Sequence, residues 1–290
     1  VMNGAGKELI STSTKAFWNV TLAEGASVTQ PGTSPYVYIY GTFLVSGTYT
    51  INAYTLLQSG SDAKVTSTGS ITGPGTFALY ASSKITQKDN VIDVAILKIR
   101  NGHNATYPII PATFESANVE VYNDGGSVSW ATSEGTYTFN GNVTFTGNNS
   151  LASTYTIDNS SGANIIFKGN VVLSNGTVGT LAWTKGAGSI TFSKASGTQT
   201  ANFLDKTVED IVVGDGATTN TVQLTDGVTT DGITVNTGST LDLNSQAVNY
   251  SAANGSTNNG TIKLKGSETL TNISNLDTDS GWVEYNGTGA

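Results

Sequence analysis

The chain has 290 residues, with 34 Gly, 27 Asn, 75 Ser or Thr, no Cys, only 12% charged residues and a formal net charge of −8. The excess of 21 acidic over 13 basic residues disfavours a nucleic-acid partner, and no apolar run approaches the ~20 residues of a membrane span. Gly does not recur at every third position as collagen requires, and a chain without Cys and with one His has neither a disulfide framework nor ligands for zinc or haem.

Hydrophobic residues make up 37% of the chain and alternate with polar ones throughout. A period of two marks half-buried strands, and no stretch carries a convincing helical period. Phe17 to Ala26 is the first such stretch. In Pro35-Tyr36-Val37-Tyr38-Ile39-Tyr40, the residues Tyr36, Tyr38 and Tyr40 share one strand face, and Val37 and Ile39 share the other. With the aliphatic pair inside, three tyrosines form an outward stripe suited to a glycan or a neighbouring subunit. Beneath a covering loop they would instead form a shielded ladder. Thr48 to Asn52 and Gly75 to Leu79 continue the alternation. Asn90 to Arg100 is the most helix-like window, but its Val and Ile content reads as a buried strand.

His103 follows Gly102, as in polysaccharide-cleaving β-helices, but no cluster of Asp surrounds it, so it reads as a turn residue and no catalytic residue is expected. Pro108 and Pro111 then disturb the pattern. Thr136-Tyr137-Thr138, Asn142 to Thr146 and Thr154-Tyr155-Thr156 restore it, with Thr outward and the ring inward. The irregular spacing of such Thr pairs argues against a flat ice-binding lattice. Asn140-Gly141, Asn175-Gly176, Asp215-Gly216, Asp231-Gly232 and Asn259-Gly260 are expected to supply positive φ in tight turns. Asn275 to Gly281 spaces oxygen ligands at alternate residues, making Asp277 and Asp279 a candidate Ca²⁺ site. That stretch lacks the Gly position and the terminal acid of an EF-hand, so an ordinary Asx-rich turn is the preferred reading. No other cofactor is expected. Glycosylation acceptors of the Asn-x-Ser/Thr type are Asn19, Asn104, Asn142, Asn148, Asn159, Asn175, Asn249, Asn254, Asn259, Asn272 and Asn286.

The chain also repeats itself. Val1-Met2-Asn3-Gly4-Ala5-Gly6 matches Glu284-Tyr285-Asn286-Gly287-Thr288-Gly289, and Phe17 to Ala26 matches Val208 to Ala217. Tandem blocks fall at about 1–77, 78–190 and 191–283, with a further one starting over 284–290. Within them runs a smaller unit, plain in Gly232 to Asn244: a short strand, a polar turn, another strand. The fold class is therefore all-β. One continuous parallel β-solenoid with rungs of about 20 residues accounts for the short, self-similar unit. A string of Ig-like sandwiches is the alternative, although no linker separates the blocks.

Three pieces carry a family resemblance: Val283 to Gly289, Gly238 to Asn244 and Asn258 to Ile262. In them the chain resembles bacterial and archaeal surface exoproteins with β-solenoid repeats, of the filamentous-haemagglutinin and autotransporter-adhesin kind. The resemblance covers most of the last hundred residues and more faintly the first eighty. It implies a secreted, elongated, cell-surface protein and no catalytic residue. The start at Val1 without a signal peptide reads as a processed or excised chain. The expected function is a structural extracellular rod that self-associates head to tail into a filament, stalk or sheath. An adhesin rod binding glycans through Tyr36, Tyr38 and Tyr40 is the alternative, and a polysaccharide-degrading β-helix enzyme the remote one.

Overall fold

Alternation along each strand decides what turns inward. In Thr48–Ile51 the side chains of Tyr49 and Ile51 are buried while Thr48 and Thr50 face out. Val37–Val45 repeats the pattern on a longer strand. The computed structural model describes residues 1–8, 14–32, 36–80, 82–100, 108–125, 129–250, 256–272 and 280–287. These residues form a parallel β-solenoid of about 11 turns and contain no helix. Its strands fall into sheets of 18, seven, four and three. All pairings between the described strands are parallel, which excludes tandem Ig-like sandwiches, since those are built from antiparallel pairs.

Each turn visits three faces. Face A runs from Lys15–Leu22 and the start of Val37–Val45 through Tyr54–Leu57, the end of Ser70–Leu79, Ile92–Arg100, Asn118–Asn123 and Asn142–Asn148 to Trp282–Tyr285. Face B includes Asp62–Val65, Thr154–Asp158 and Val228–Thr230. Face C includes Ser27–Gln30, Thr48–Ile51, Thr136–Phe139 and Ile233–Val235. At a strand spacing of ~4.8 Å the stack is roughly 50 Å long. Asn90 to Arg100 is the expected strand, over Ile92–Arg100.

Register sets the true repeat. Partners on face A lie from 18 residues apart (Val37 to Thr55) to 30 apart (Val171 to Ala201), with the longest turns in the middle of the chain. The ladder runs on through the block boundaries, which fall inside strands Ser70–Leu79 and Ser189–Phe192. The two end motifs do not occupy equivalent places: Met2 bridges to Leu22 on face B, whereas Tyr285 pairs with Leu264 on face A.

Like side chains stack because parallel, in-register strands place equivalent residues one above another. On face C, Phe114, Phe139, Phe167 and Phe192 are successive partners. Their rings lie 5.5, 5.7 and 5.9 Å apart in turn. Buried polar groups stack too. Gln199 Oε1 accepts from Asn220 Nδ2 at 3.3 Å, and Asn220 Oδ1 accepts from Ser239 Oγ at 3.3 Å. These bonds satisfy amides that would be costly to bury alone.

The glycine expectation needs correction. Of the five Asn-Gly and Asp-Gly pairs named above, only that of Gly216 has positive φ. Gly141, Gly176 and Gly260 are needed for close approach instead: a Cβ on Gly141 would lie 2.2 Å from Ala117 O, and one on Gly176 2.1 Å from Asn148 O. Solenoid corners stack directly on the turn below, so backbone distance rather than hairpin geometry selects Gly.

Candidate functional site

The strand Val37–Val45 turns Val37 and Ile39 into the core at 1% exposure each, which leaves Tyr36, Tyr38 and Tyr40 on the outer side. Tyr36 is exposed; Tyr38 and Tyr40 are half-buried. Among the described residues the shielding comes from other aromatic side chains. Tyr36 stacks on Tyr38 at 6.1 Å and meets Tyr54 edge-on at 5.3 Å. Tyr40 stacks on Trp18 at 5.1 Å with the planes 24° apart.

Parallel register extends this patch along the solenoid. Trp18 pairs with Tyr40, and the Tyr40 position continues through Gln58 to Tyr80. Arg100 pairs with Tyr122, and Tyr122 with Thr146. The Arg100 guanidinium lies over the rings of Tyr80 (4.9 Å) and Tyr122 (5.6 Å), forms an ion pair with Asp124 and hydrogen-bonds Tyr54. Beneath these side chains Leu56 and Ala78 face outward yet are buried, at 6% and 0% exposure. Face A thus carries a second, outer layer. Burial pushes the phenols of Tyr54 and Tyr122 above the ordinary Tyr range, against the pull of the Arg100 charge.

Beside Tyr122 lies an open groove of about 320 Å³ lined by Lys98, Glu120, Thr144, Thr146 and Asn149. Lys98 pairs with Glu120 at 3.1 Å, so the groove offers donors and acceptors with little net charge. Sequence reasoning found three residues of this surface and missed Trp18, Tyr54, Tyr80, Arg100 and Tyr122. Those residues are 14 to 82 positions away from Tyr40, and only the turn length brings them onto one face.

The end rungs form a second feature. Lys15 donates its amide back to Tyr36 O at 3.0 Å, so the alternation of a parallel strand turns the amides of Ala16 and Trp18 to the open side. Met2 closes only the adjoining stretch: its amide donates to Thr21 O at 2.8 Å and its carbonyl accepts from Ala23 at 3.1 Å. At the other end Trp282 and Asn286 donate back to Gly260 and Leu264, both at 2.8 Å, so Val283 and Tyr285 face outward along the axis. The large side chains here are exposed: Trp18 75%, Trp282 77%, Tyr285 72%.

The sequon residues divide sharply. Asn19, Asn142, Asn175, Asn272 and Asn286 are exposed; Asn249 and Asn259 are half-buried. Asn148 and Asn159 have 0% exposure and are corrected as acceptors, because a glycan cannot be seated on a buried carboxamide. Asn148 Nδ2 donates to Ser153 Oγ at 2.7 Å, and Asn159 Nδ2 to Glu209 Oε1 at 2.8 Å. Glu209, 1% exposed, also accepts from the Gly186 amide at 3.0 Å and from Trp183 Nε1 at 2.9 Å. It is a structural tie across turns, missed in the sequence because nothing marks it locally. Asn104, Asn254, His103, Asp277 and Asp279 lie outside the described residues. Among the described residues no three acidic, His or Cys side chains converge on a metal position, and no helix is long and apolar enough to cross a membrane. No protein-family model, curated protein or solved structure matches the chain.

Proposed function

We propose that the chain is a structural rod of the extracellular surface that stacks end to end, turn upon turn, into a filament, stalk or sheath. The observation that supports this reading is that the rungs at Ala16–Trp18 and Val283–Tyr285 lie on one face, bear large exposed aromatic side chains, and among the described residues have no strand paired on their outer sides. An unpaired parallel edge recruits a further strand, and a further turn laid over Val283 and Tyr285 adds apolar burial. Both edges belong to face A, so a second copy continues the ladder without changing strand direction, and such a heterologous contact need not close. Its surface location is supported by the sequence resemblance to solenoid exoproteins and by the low-charge, hydroxyl-rich composition.

Analytical ultracentrifugation over a range of concentrations tests the reading. The unaltered chain is expected to shift progressively to larger species. Val283→Pro removes an amide from the open edge without touching the internal ladder, and is expected to leave a monomer of unchanged melting temperature. A chain that stays monomeric at every concentration, or assembly indifferent to Val283→Pro, would contradict it.

A further inference from the structure

We propose that the outer layer of face A is a binding surface for an extended, uncharged glycan lying along the solenoid axis. This inference is independent of whether the rod assembles. Three observations carry it.

First, the aromatic residues are in register rather than scattered. Trp18, Tyr40, Tyr80 and Tyr122 occupy one outward column, with Gln58 and Arg100 at the intervening turns. Successive turns lie ~4.8 Å apart, close to the length of one pyranose unit in an extended chain. A sugar chain laid along the column therefore meets a ring or a hydrogen-bonding side chain at each unit. Ring faces along the axis are taken by Trp18 on Tyr40 and by Arg100 on Tyr80 and Tyr122, so the sugar chain meets ring edges and phenol hydroxyls.

Second, the charges are already neutralised within the surface. Lys98 pairs with Glu120 and Arg100 with Asp124. With the chain at net −8, a polyanion finds no complementary surplus here, whereas a neutral polyhydroxyl chain does not need one. Charge complementarity thus selects an uncharged occupant.

Third, the column leads into a groove lined by Glu120, Lys98, Thr144, Thr146 and Asn149. These are mixed donors and acceptors at the edge of an aromatic platform, the arrangement that fixes a polyhydroxyl ligand in orientation. The platform is also held in place. Arg100 sits between the rings of Tyr80 and Tyr122 and bonds Tyr54, so little side-chain freedom remains to be lost on binding.

Titration calorimetry with cellohexaose, chitohexaose, maltohexaose and a heparin hexasaccharide tests the assignment. The extended β-linked probes are expected to bind, with the coiled maltohexaose and the anionic heparin each at least tenfold weaker. Tyr40→Ala and Tyr122→Ala are each expected to weaken binding by roughly tenfold, one step of 1.4 kcal/mol. Trp282→Ala, an exposed aromatic outside the column, should leave it unchanged. Circular dichroism and the melting temperature establish that each variant is folded, and the single exposed-ring change Trp18→Ala serves as a second variant if either tyrosine proves structural. No binding of any uncharged probe, preference for heparin, equal loss in Trp282→Ala, or side-by-side self-association through the outer layer of face A, lost in Tyr40→Ala and Tyr122→Ala, in place of glycan binding would each overturn the proposal.

Discussion

Tyr49, Phe139, Gly141 and Glu209 show how single residues hold a solenoid. Phe139 is sandwiched between Phe114 and Phe167, so Phe139→Ala opens a cavity shared by three turns. A loss of about 3–5 kcal/mol is expected in urea unfolding. Gly141→Ala forces a Cβ against Ala117 O and Ser116 O and is expected to cost about 1–3 kcal/mol by the same measurement. Glu209→Gln replaces an acceptor that faces three donors, with an expected cost of about 1–3 kcal/mol. Burial, only slightly offset in each case by a hydroxyl hydrogen bond, pushes the phenols of Tyr49 and Tyr250 up to about 12. An unfolded Tyr titrates near pH ~10. Below that both states keep the proton. Between about pH 10 and 12 the unfolded chain releases protons that the folded chain retains, so stability falls as pH rises. The urea midpoint is expected to be flat up to about pH 9 and to drop above about pH 10; a midpoint that rises with alkali would contradict the burial of these phenols. Alternation made the inward residues of this set legible in the sequence. Glu209 was not legible, because its three donors come from distant turns and leave no local pattern.

At the scale of the element, the sequence discloses strands well and their stacking poorly. Val37 and Ile39 inward, Tyr36, Tyr38 and Tyr40 outward, and Ile92–Arg100 as a strand all follow from period-two alternation. Which strand lies beside which depends on turn lengths of 18 to 30 residues, and these vary because outward loops grow without disturbing the ladder. Matching short motifs across the chain therefore misled: Phe17 to Ala26 spans faces A and B, whereas Val208 to Ala217 passes through faces B and C. The Asn-Gly pairs misled for a related reason. Hairpin logic assigns them positive φ, but a parallel stack has no hairpins and uses Gly for contact between turns. Asn19 and Gly41 illustrate a corner where φ does matter. Both have positive φ, at 51° and 79°, they interrupt the Trp18/Val20 register together, and Asn19 Oδ1 accepts from the Thr42 amide at 2.9 Å. Asn19→Ala is expected to lower stability by about 1 kcal/mol through loss of that bond and the left-handed preference of Asn, and Asn19→Gly to recover part of the loss; equal stability of all three chains would contradict the corner's role.

For the whole molecule, one core runs from Val20 to Leu264 without a break between turns, as expected when each turn buries its apolar face only against its neighbours. Stability in such a stack is a sum over neighbouring turns, so a turn gains from every neighbour that covers it. The proposed end-to-end association would act through the edges Ala16–Trp18 and Val283–Tyr285 rather than through the similar end motifs, which sit on different faces. Negative-stain electron microscopy of the purified chain, at neutral pH and across a concentration series, tests this most directly. The account expects filaments of constant width that lengthen with concentration and vanish in Val283→Pro. Short rods of roughly 50 Å that never lengthen would contradict it.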